Sequence, residues 1–313
     1  LTHRRRSTLR SYATAPCPDG LASALILKDA LREARVLFVD YGTREHAEMP
    51  AETGTLFCDM TPPRERAQEF VDAGAIVLDH HRHAADIVAL FGDRGVFADE
   101  EKEPGVSGAV LASREVWRVA VSENVVDYNG REVGHFAKLA GVRDTWQKKS
   151  PAWAAACAQA EMLRFYGEET CMERGLAWVV EQRDIGFTLL KKAEREVIVA
   201  AADAYVVTSV AGKKIAIIPD MPAVSDAADL LPDADVVAAF RYVCSVPGDL
   251  RLRVSLRSRG SVDVGAIAKR YGGGGHSKAA GFTLVDRAFD IGSVSPHLVI
   301  RTAVSLFEIG SAP

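Results

Sequence analysis

Three consecutive polar residues, Asp79-His80-His81, follow the apolar run Ala75 to Leu78, and Asp59 ends the apolar run before it. Carboxylates and imidazoles gathered where strands end offer hard oxygen and nitrogen donors, a set suited to Mn2+ or Mg2+. Such groups add little to a core, so the competing reading makes Asp79 a turn residue and the histidines solvated surface groups. Two more aspartates stand in comparable places. Asp19 lies in Pro18-Asp19-Gly20, ahead of a helical pattern that begins near Leu21, where an N-cap or turn role competes. Asp144 follows a helical segment in Gly141-Val142-Arg143-Asp144-Thr145-Trp146, with helix capping again the alternative.

A second cluster of signals lies far downstream. Gly272-Gly273-Gly274-Gly275-His276 precedes Ser277-Lys278-Ala279-Ala280-Gly281-Phe282. Successive glycines let backbone N–H groups approach an anion closely, and the neighbouring imidazole and ammonium add donors or charge, which makes a phosphate or carboxylate cradle. A plain surface turn is the alternative. Upstream, Arg251, Arg253, Arg257 and Arg259 fall on one face of a strand by its period of two, with Leu252, Val254 and Leu256 on the other. Arginine suits bidentate phosphate contact, so at least one of the four is expected to meet substrate and the others to form a solvated face.

The elements that must position these groups are legible as short apolar runs alternating with helical periodicity. Strands are expected over 7–13, 34–40, 55–59 and 75–79, and helices over 20–33, 64–73, 105–118 and 132–140. This is the signature of parallel β/α units, in which ligands sit beyond the carboxyl ends of the strands. Residues 172–202 read as one long helix or a helix pair, rich in Glu, Arg and Lys. Strand-like runs follow at 204–210, 213–219, 235–243 and 250–258, then a helix at 262–271 and a glycine turn at 272–275. The expected fold class is α/β in two domains. A parallel-sheet, metal-binding domain over 1–172 is joined by a helical linker, 173–202, to a smaller α/β substrate-binding domain over 203–313.

Bulk composition narrows the function classes. At 313 residues, 48% apolar and 26% charged, the chain can bury a real core, and disorder is not the default. A formal charge of −4 gives no electrostatic reason for a preference for long duplex DNA, so any phosphate site must be local. The five cysteines lack CxxC spacing, which argues against a zinc knuckle or a disulfide framework and for a reducing, cytoplasmic setting. The basic start, Leu1 to Arg6, is not followed by the apolar stretch of a secretion signal. No apolar run approaches the roughly 20 residues of a membrane span.

A strand-terminal Asp-His-His followed by Gly-Gly-Gly-His-x-x-Ala-Ala-Gly resembles the DHH phosphoesterase superfamily. The members it is most similar to carry the DHH-associated C-terminal domain, as do the oligoribonuclease/pAp-phosphatase (NrnA-like) enzymes and the RecJ core. The match runs from about residue 8 to about residue 285. The resemblance implies that Asp19, Asp59, His80 and Asp144 are metal ligands. It also implies that Asp79 and His81 fix the His80 ring or meet phosphate, so that Asp79, His80 and His81 form the catalytic set. Gly274, Gly275 and His276 resemble the family's phosphate cradle, and Arg257 its phosphate-binding arginine. In one respect the chain departs from the pattern. The family's first motif usually runs His-x-x-x-Asp-x-Asp, whereas here Cys17 stands at the first aspartate and Ala13 or Thr14 at the histidine. Cys17 enters the candidate metal set on that account; one Mn2+ or Mg2+ site is complete and a second lacks its usual ligands.

The function so implied is hydrolysis of phosphate esters in short single-stranded oligonucleotides, linear dinucleotides or 3'-phosphoadenosine-type nucleotides. The rival is a DHH-fold nucleotide or nucleic-acid binding protein that has lost turnover with its first-motif ligands. Homodimers are common in the family, but no interface is legible in the sequence.

Overall fold

The computed structural model describes residues 10–14, 17–31, 34–41, 43–120, 130–209, 211–221, 223–244, 250–275 and 277–285, and the chain divides into two compact units, 1–190 and 191–313. The first unit runs β1 (Arg10–Thr14), α1 (Pro18–Ala30), β2 (Arg35–Val39), α2 (Arg44–Ala47), β3 (Thr55–Cys58), α3 (Ala67–Asp72), β4 (Ile76–Asp79), α4 (Ala85–Ala89) and β5 (Gly95–Phe97). Four longer or linking helices follow: α5 (Gly108–Ala120), α6 (Gly130–Asp144), α7 (Trp153–Arg174) and α8 (Leu176–Glu181). Then α9 (Arg183–Ala202) carries the chain across the boundary.

All five strands of the first unit are parallel, in the order β2-β1-β3-β4-β5. The chain goes from β1 outward to β2 and then back across to β3, so the order reverses between β1 and β3. In an open parallel sheet that reversal leaves a crevice at the carboxyl ends of the two strands. The strands there are apolar throughout because helices cover both faces: Leu56, Cys58 and Leu78 join a core with α1, α5, α6, α7 and α8, while Phe57 and Val77 face Phe70, Ile87 and Val88 of α3 and α4. Sandwiched against the sheet, α1 buries Leu21, Ala22, Leu25, Ile26 and Leu27 on nearly every side. Each of its large side chains contributes roughly 1.5–3 kcal/mol by leaving water.

Strand β5 was not expected from the sequence, and the stretch read as one connector is divided. Gly175, at φ 82°, ends α7 and precedes α8, and a further kink lies at Gly167. The expected helix at 20–33 starts earlier, at Pro18, and the one at 132–140 reaches Asp144.

The second unit contains β6 (Tyr205–Thr208), β7 (Lys214–Pro219), α10 (Val224–Asp229), β8 (Val236–Cys244), β9 (Leu250–Ser258), α11 (Val264–Arg270), β10 (Gly274–Gly275) and β11 (Ala279–Val285). These strands form one sheet, β10-β11-β9-β8-β7-β6, antiparallel except for β7 with β8. Period-two alternation divides β9 as expected. Leu252, Val254 and Leu256 are buried with Val264, Ile267 and Ala268 of α11, and the arginines take the opposite face. On that opposite face α10 and Val197 of α9 cover Val237 and Ala239. The glycine run is not wholly a turn, since Gly274 and Gly275 pair with Gly281 and Ala280.

Candidate metal centre

Strands β1, β3 and β4 end level with one another, because Ala13 is paired with Cys58 and Cys58 with Leu78. Thr14, Asp59 and Asp79 therefore emerge along one edge, at the crevice where the strand order reverses. Asp59 leaves β3 in a left-handed conformation, φ 61°, which aspartate tolerates better than most residues. Its backbone is held there from two sides. Asp59 N donates to Leu78 O at 3.0 Å, and the Thr14 hydroxyl donates to Asp59 O.

Asp19 sits in the first turn of α1, inside the helix rather than at its cap, which is Cys17. Its Oδ1 accepts from Ser107 Oγ at 2.7 Å and from Ala109 N at 3.3 Å, so it satisfies an orphan donor at the start of α5. This approach depends on Gly108. A Cβ there would lie 2.4 Å from the Asp59 Cβ and 2.9 Å from Asp19 Oδ2. Asp144 is the last residue of α6, and its carboxylate reaches His80 Nε2 at 3.4 Å; the same nitrogen lies 3.2 Å from Asp59 Oδ1. His81 is oriented by Asp79, whose Oδ1 accepts from His81 N at 2.9 Å and lies 2.7 Å from His81 Nδ1. Asp79 thus fixes the His81 ring.

The donors converge in two sets, Asp19-His80-Asp144 and Asp59-His80-His81, each with ligand atoms within 4.8 Å of one another. Three buried carboxylate oxygens, Oδ2 of Asp19, of Asp59 and of Asp79, have no hydrogen-bond partner. An unpaired buried carboxylate oxygen costs several kcal/mol unless a cation or a proton meets it. The protons are arranged accordingly. Burial would lower the His80 imidazole, but Asp59, Asp144 and Asp19 hold it up at about 10. His81, likewise opposed by burial, is raised to about 9 by Asp79 and Asp59. Burial, reinforced by Asp59 and Asp144, pushes Asp19 well above the usual carboxylate range. At Asp59 burial acts in the same sense, but the two imidazoles overcome it and keep that carboxyl low. These groups compensate one another with protons where a divalent cation would replace them, and the oxygen-and-imidazole donor set fits such an ion.

Cys17 falls outside both ligand sets. Burial and the charges of Asp59, Asp144 and Asp19 raise its thiol well above the ordinary value, so it stays protonated beside the carboxylates. Ala13 is buried in the sheet and Thr14 is committed to Asp59 O; neither replaces the family's missing histidine.

A DHHA1 domain model matches residues 203–291. The chain carries a DHHA1 domain. No curated protein matches it. Among solved structures, the DHH domain of a protein described as belonging to a ribosomal-protein family aligns over 95% of this chain and 85% of its own, with TM-score 0.57 and 13% identity. The fold is shared over nearly the whole length. A pGpG-specific phosphodiesterase from Vibrio cholerae aligns over 94% of this chain and 98% of its own, at 14% identity and TM-score 0.49. An exopolyphosphatase-related protein from Bacteroides fragilis covers 96% and 92%, at 13% identity and TM-score 0.44.

Within the DHHA1 domain, Arg257 and the glycine pair occupy one region of sheet. Arg257 is paired with Ala279, and Gly275 with Ala280 on the same strand, β11. Gly273 sets the close approach, since a Cβ there would lie 2.2 Å from Gly281 O. The Arg257 guanidinium donates to Ser225 Oγ at 2.7 Å and to Leu256 O at 2.9 Å, and burial lowers its pKa from the ordinary arginine value. Arg259 lies beyond the strand and is engaged at the end of α10, with Ala228 O at 2.9 Å and Asp229 at 3.0 Å. His276 lies outside the described residues.

Sequence reasoning missed Ser107, Gly108 and the Thr14 hydroxyl. It also gave no role to Tyr41, whose phenol accepts from Thr61 N at 2.8 Å, or to His46, whose Nε2 lies 3.0 Å from Thr61 O; both steady the segment after Asp59. Only Tyr41 carried a signal, its place directly after a strand. Among the described residues no helix is long and apolar enough to cross a membrane.

Proposed function

We propose that the protein is a divalent-metal-dependent phosphoesterase that hydrolyses short single-stranded oligonucleotides, linear dinucleotides or 3'-phosphoadenosine-type nucleotides in the cytoplasm. The observation that carries this reading is the convergence of Asp19, Asp59 and Asp144 on the His80 and His81 imidazoles at the β1–β3 switch point, with Oδ2 of Asp19 and of Asp59 buried and unpaired. His80, with Asp19, Asp59 and Asp144, would hold Mn2+ or Mg2+, with His81 completing the set that shares Asp59. When bound, the ion lowers the pKa of water and stabilises charge on the phosphoryl oxygens. Asp79 keeps the His81 ring in one orientation, and Asp59 and Asp144 do the same for His80. On the DHHA1 domain, Arg257 and the Gly274-Gly275 backbone, with His276, would take the substrate's phosphate, the guanidinium being pre-oriented by Ser225.

A catalytically impaired binding protein is the second reading. It is favoured by Cys17, which stays protonated, and by the buried Ala13 or the committed Thr14 at the positions where the family's first motif supplies ligands. Hydrolysis of 5'-phosphorylated dinucleotides, 3'-phosphoadenosine 5'-phosphate and pyrophosphate, with Mn2+, Mg2+ or chelator, separates the two. Metal-dependent turnover lost in both Asp79→Ala and His80→Ala is the expected result. Mn2+ binding without turnover across the panel would move the assignment to the binding protein.

A further inference from the structure

We propose that Arg241 and Arg253, arranged around Asp220 on the DHHA1-domain sheet, form a second phosphate site, so that this domain holds a chain of phosphates rather than one terminal phosphate. The proposal deepens the reading of this domain as the part that holds substrate, and rests on it.

Arg241 and Arg253 are directly opposite each other in the antiparallel β8–β9 ladder. Like charges facing across a ladder repel, so a sheet keeps such a pair only where something compensates it. Asp220 compensates in part. Its Oδ2 lies 3.6 Å from Arg241 Nε and 4.0 Å from Arg253 Nε, and its backbone N donates to Phe240 O at 3.0 Å. The carboxylate is 7% exposed, while the two arginine side chains are 49% and 50% exposed. One buried carboxylate shared by two half-exposed guanidiniums leaves a positive charge facing water, with donors to spare for an incoming anion.

The same face continues towards Arg257. By strand alternation Arg253, Ser255 and Arg257 share it, paired on β11 with Thr283, Gly281 and Ala279. Four residues of strand separate Arg253 from Arg257, roughly 13 Å. Arg257 is tied to Ser225 of α10 and Arg253 leans on Asp220, so the two guanidiniums mark separate phosphate contacts on a face that α10 covers only in part. The occupant is therefore a chain of phosphates. None of these face positions carries an aromatic ring, and Tyr242 belongs to the opposite face with Leu252. The site thus recognises phosphate without base stacking, and a short nucleic-acid strand or an inorganic polyphosphate shares the required chemistry.

Binding to the full chain in chelator isolates this site from turnover. Anisotropy of a labelled pentathymidylate is expected to show an affinity about tenfold lower in the Arg241→Ala, Arg253→Ala double variant. The slope of log affinity against log salt should drop by about 0.7 for each phosphate of a single strand that the protein no longer neutralises. Arg241→Lys with Arg253→Lys should recover part of the affinity, Asp220→Asn should raise it, and an unchanged dichroism transition of the second unit is the folding control. Displacement by unlabelled pentathymidylate or by tripolyphosphate supports the site and names the source of the phosphates. Wild-type affinity and salt slope in the double variant would overturn the proposal, as would a probe that neither competitor displaces. Hydrolysis reports on the metal centre separately, so failure of one reading is distinguishable from failure of the other.

Discussion

At the scale of single residues, the proposed centre would trade protons for a cation. His80, at about 10, and His81, at about 9, both carry protons at neutral pH in the metal-free protein. A cation taking those nitrogens must displace the protons, so its affinity rises with pH and levels off once pH passes about 9 to 10. With both imidazoles displaced the gain approaches about tenfold per pH unit per proton. Calorimetry with Mn2+ in buffers of different ionisation enthalpy should count this release, and His81→Ala should lower the count by about one. Zero release in the wild type would remove the imidazoles from the ligand set. Cys17 tests the opposite case. As its thiol lies outside both ligand sets, Cys17→Ser should leave Mn2+ affinity within about twofold, a change of less than about 0.5 kcal/mol. A tenfold loss would place the sulfur on the metal.

At the scale of elements, the centre depends on how closely helix starts approach strand ends. Gly108→Ala inserts a methyl 2.4 Å from the Asp59 Cβ, and neither β3 nor α5 can yield without moving Asp59 or Asp19. Activity should fall at least tenfold, with about 1–3 kcal/mol lost in denaturant unfolding. Gly134→Ala, within α6 and with open space around the new methyl, should instead gain up to about 1 kcal/mol. Equal behaviour of the two variants would show that α5 is not tightly seated. The comparison also marks what was legible in the sequence. The continuous apolar runs of β3 and β4, each ending in an acid, give away both a buried parallel strand and a site. The partner of Asp19 does not show, because Ser107 lies 88 residues away and only the fold joins them. Strand β5 has three residues, too few for a period, and β11 opens on Ala279-Ala280-Gly281, small residues that read as turn. The extension of α6 to Asp144 was hidden by Gly141, which looked like a helix end. It is in fact a close-packing position, where a Cβ would lie 2.1 Å from Gly105 O.

At the scale of the whole molecule, the candidate metal ligands and the candidate phosphate cradle fall in different units, and the probes that report on those units are divided too. The four tryptophans, Trp117, Trp146, Trp153 and Trp178, all fall in residues 1–190, whereas the sheet of the second unit carries Tyr205 and Tyr242 and no tryptophan. Tryptophan emission therefore follows the unit that holds the metal centre, and far-ultraviolet circular dichroism follows both. A ligand that binds only the folded form stabilises it by an amount set by its concentration over Kd, about 2.7 kcal/mol at a hundredfold excess. For a unit of this size that amounts to several degrees in Tm. Mn2+ should raise the tryptophan-monitored transition by that much, and chelator should reverse it. Dichroism should then resolve a second component that ignores the metal and responds to phosphate-chain ligands instead. If both signals moved together with Mn2+, the two units would be unfolding as one cooperative block. If neither moved, the unpaired carboxylate oxygens at the strand ends would be compensated by protons alone, and the metal assignment would fall with them.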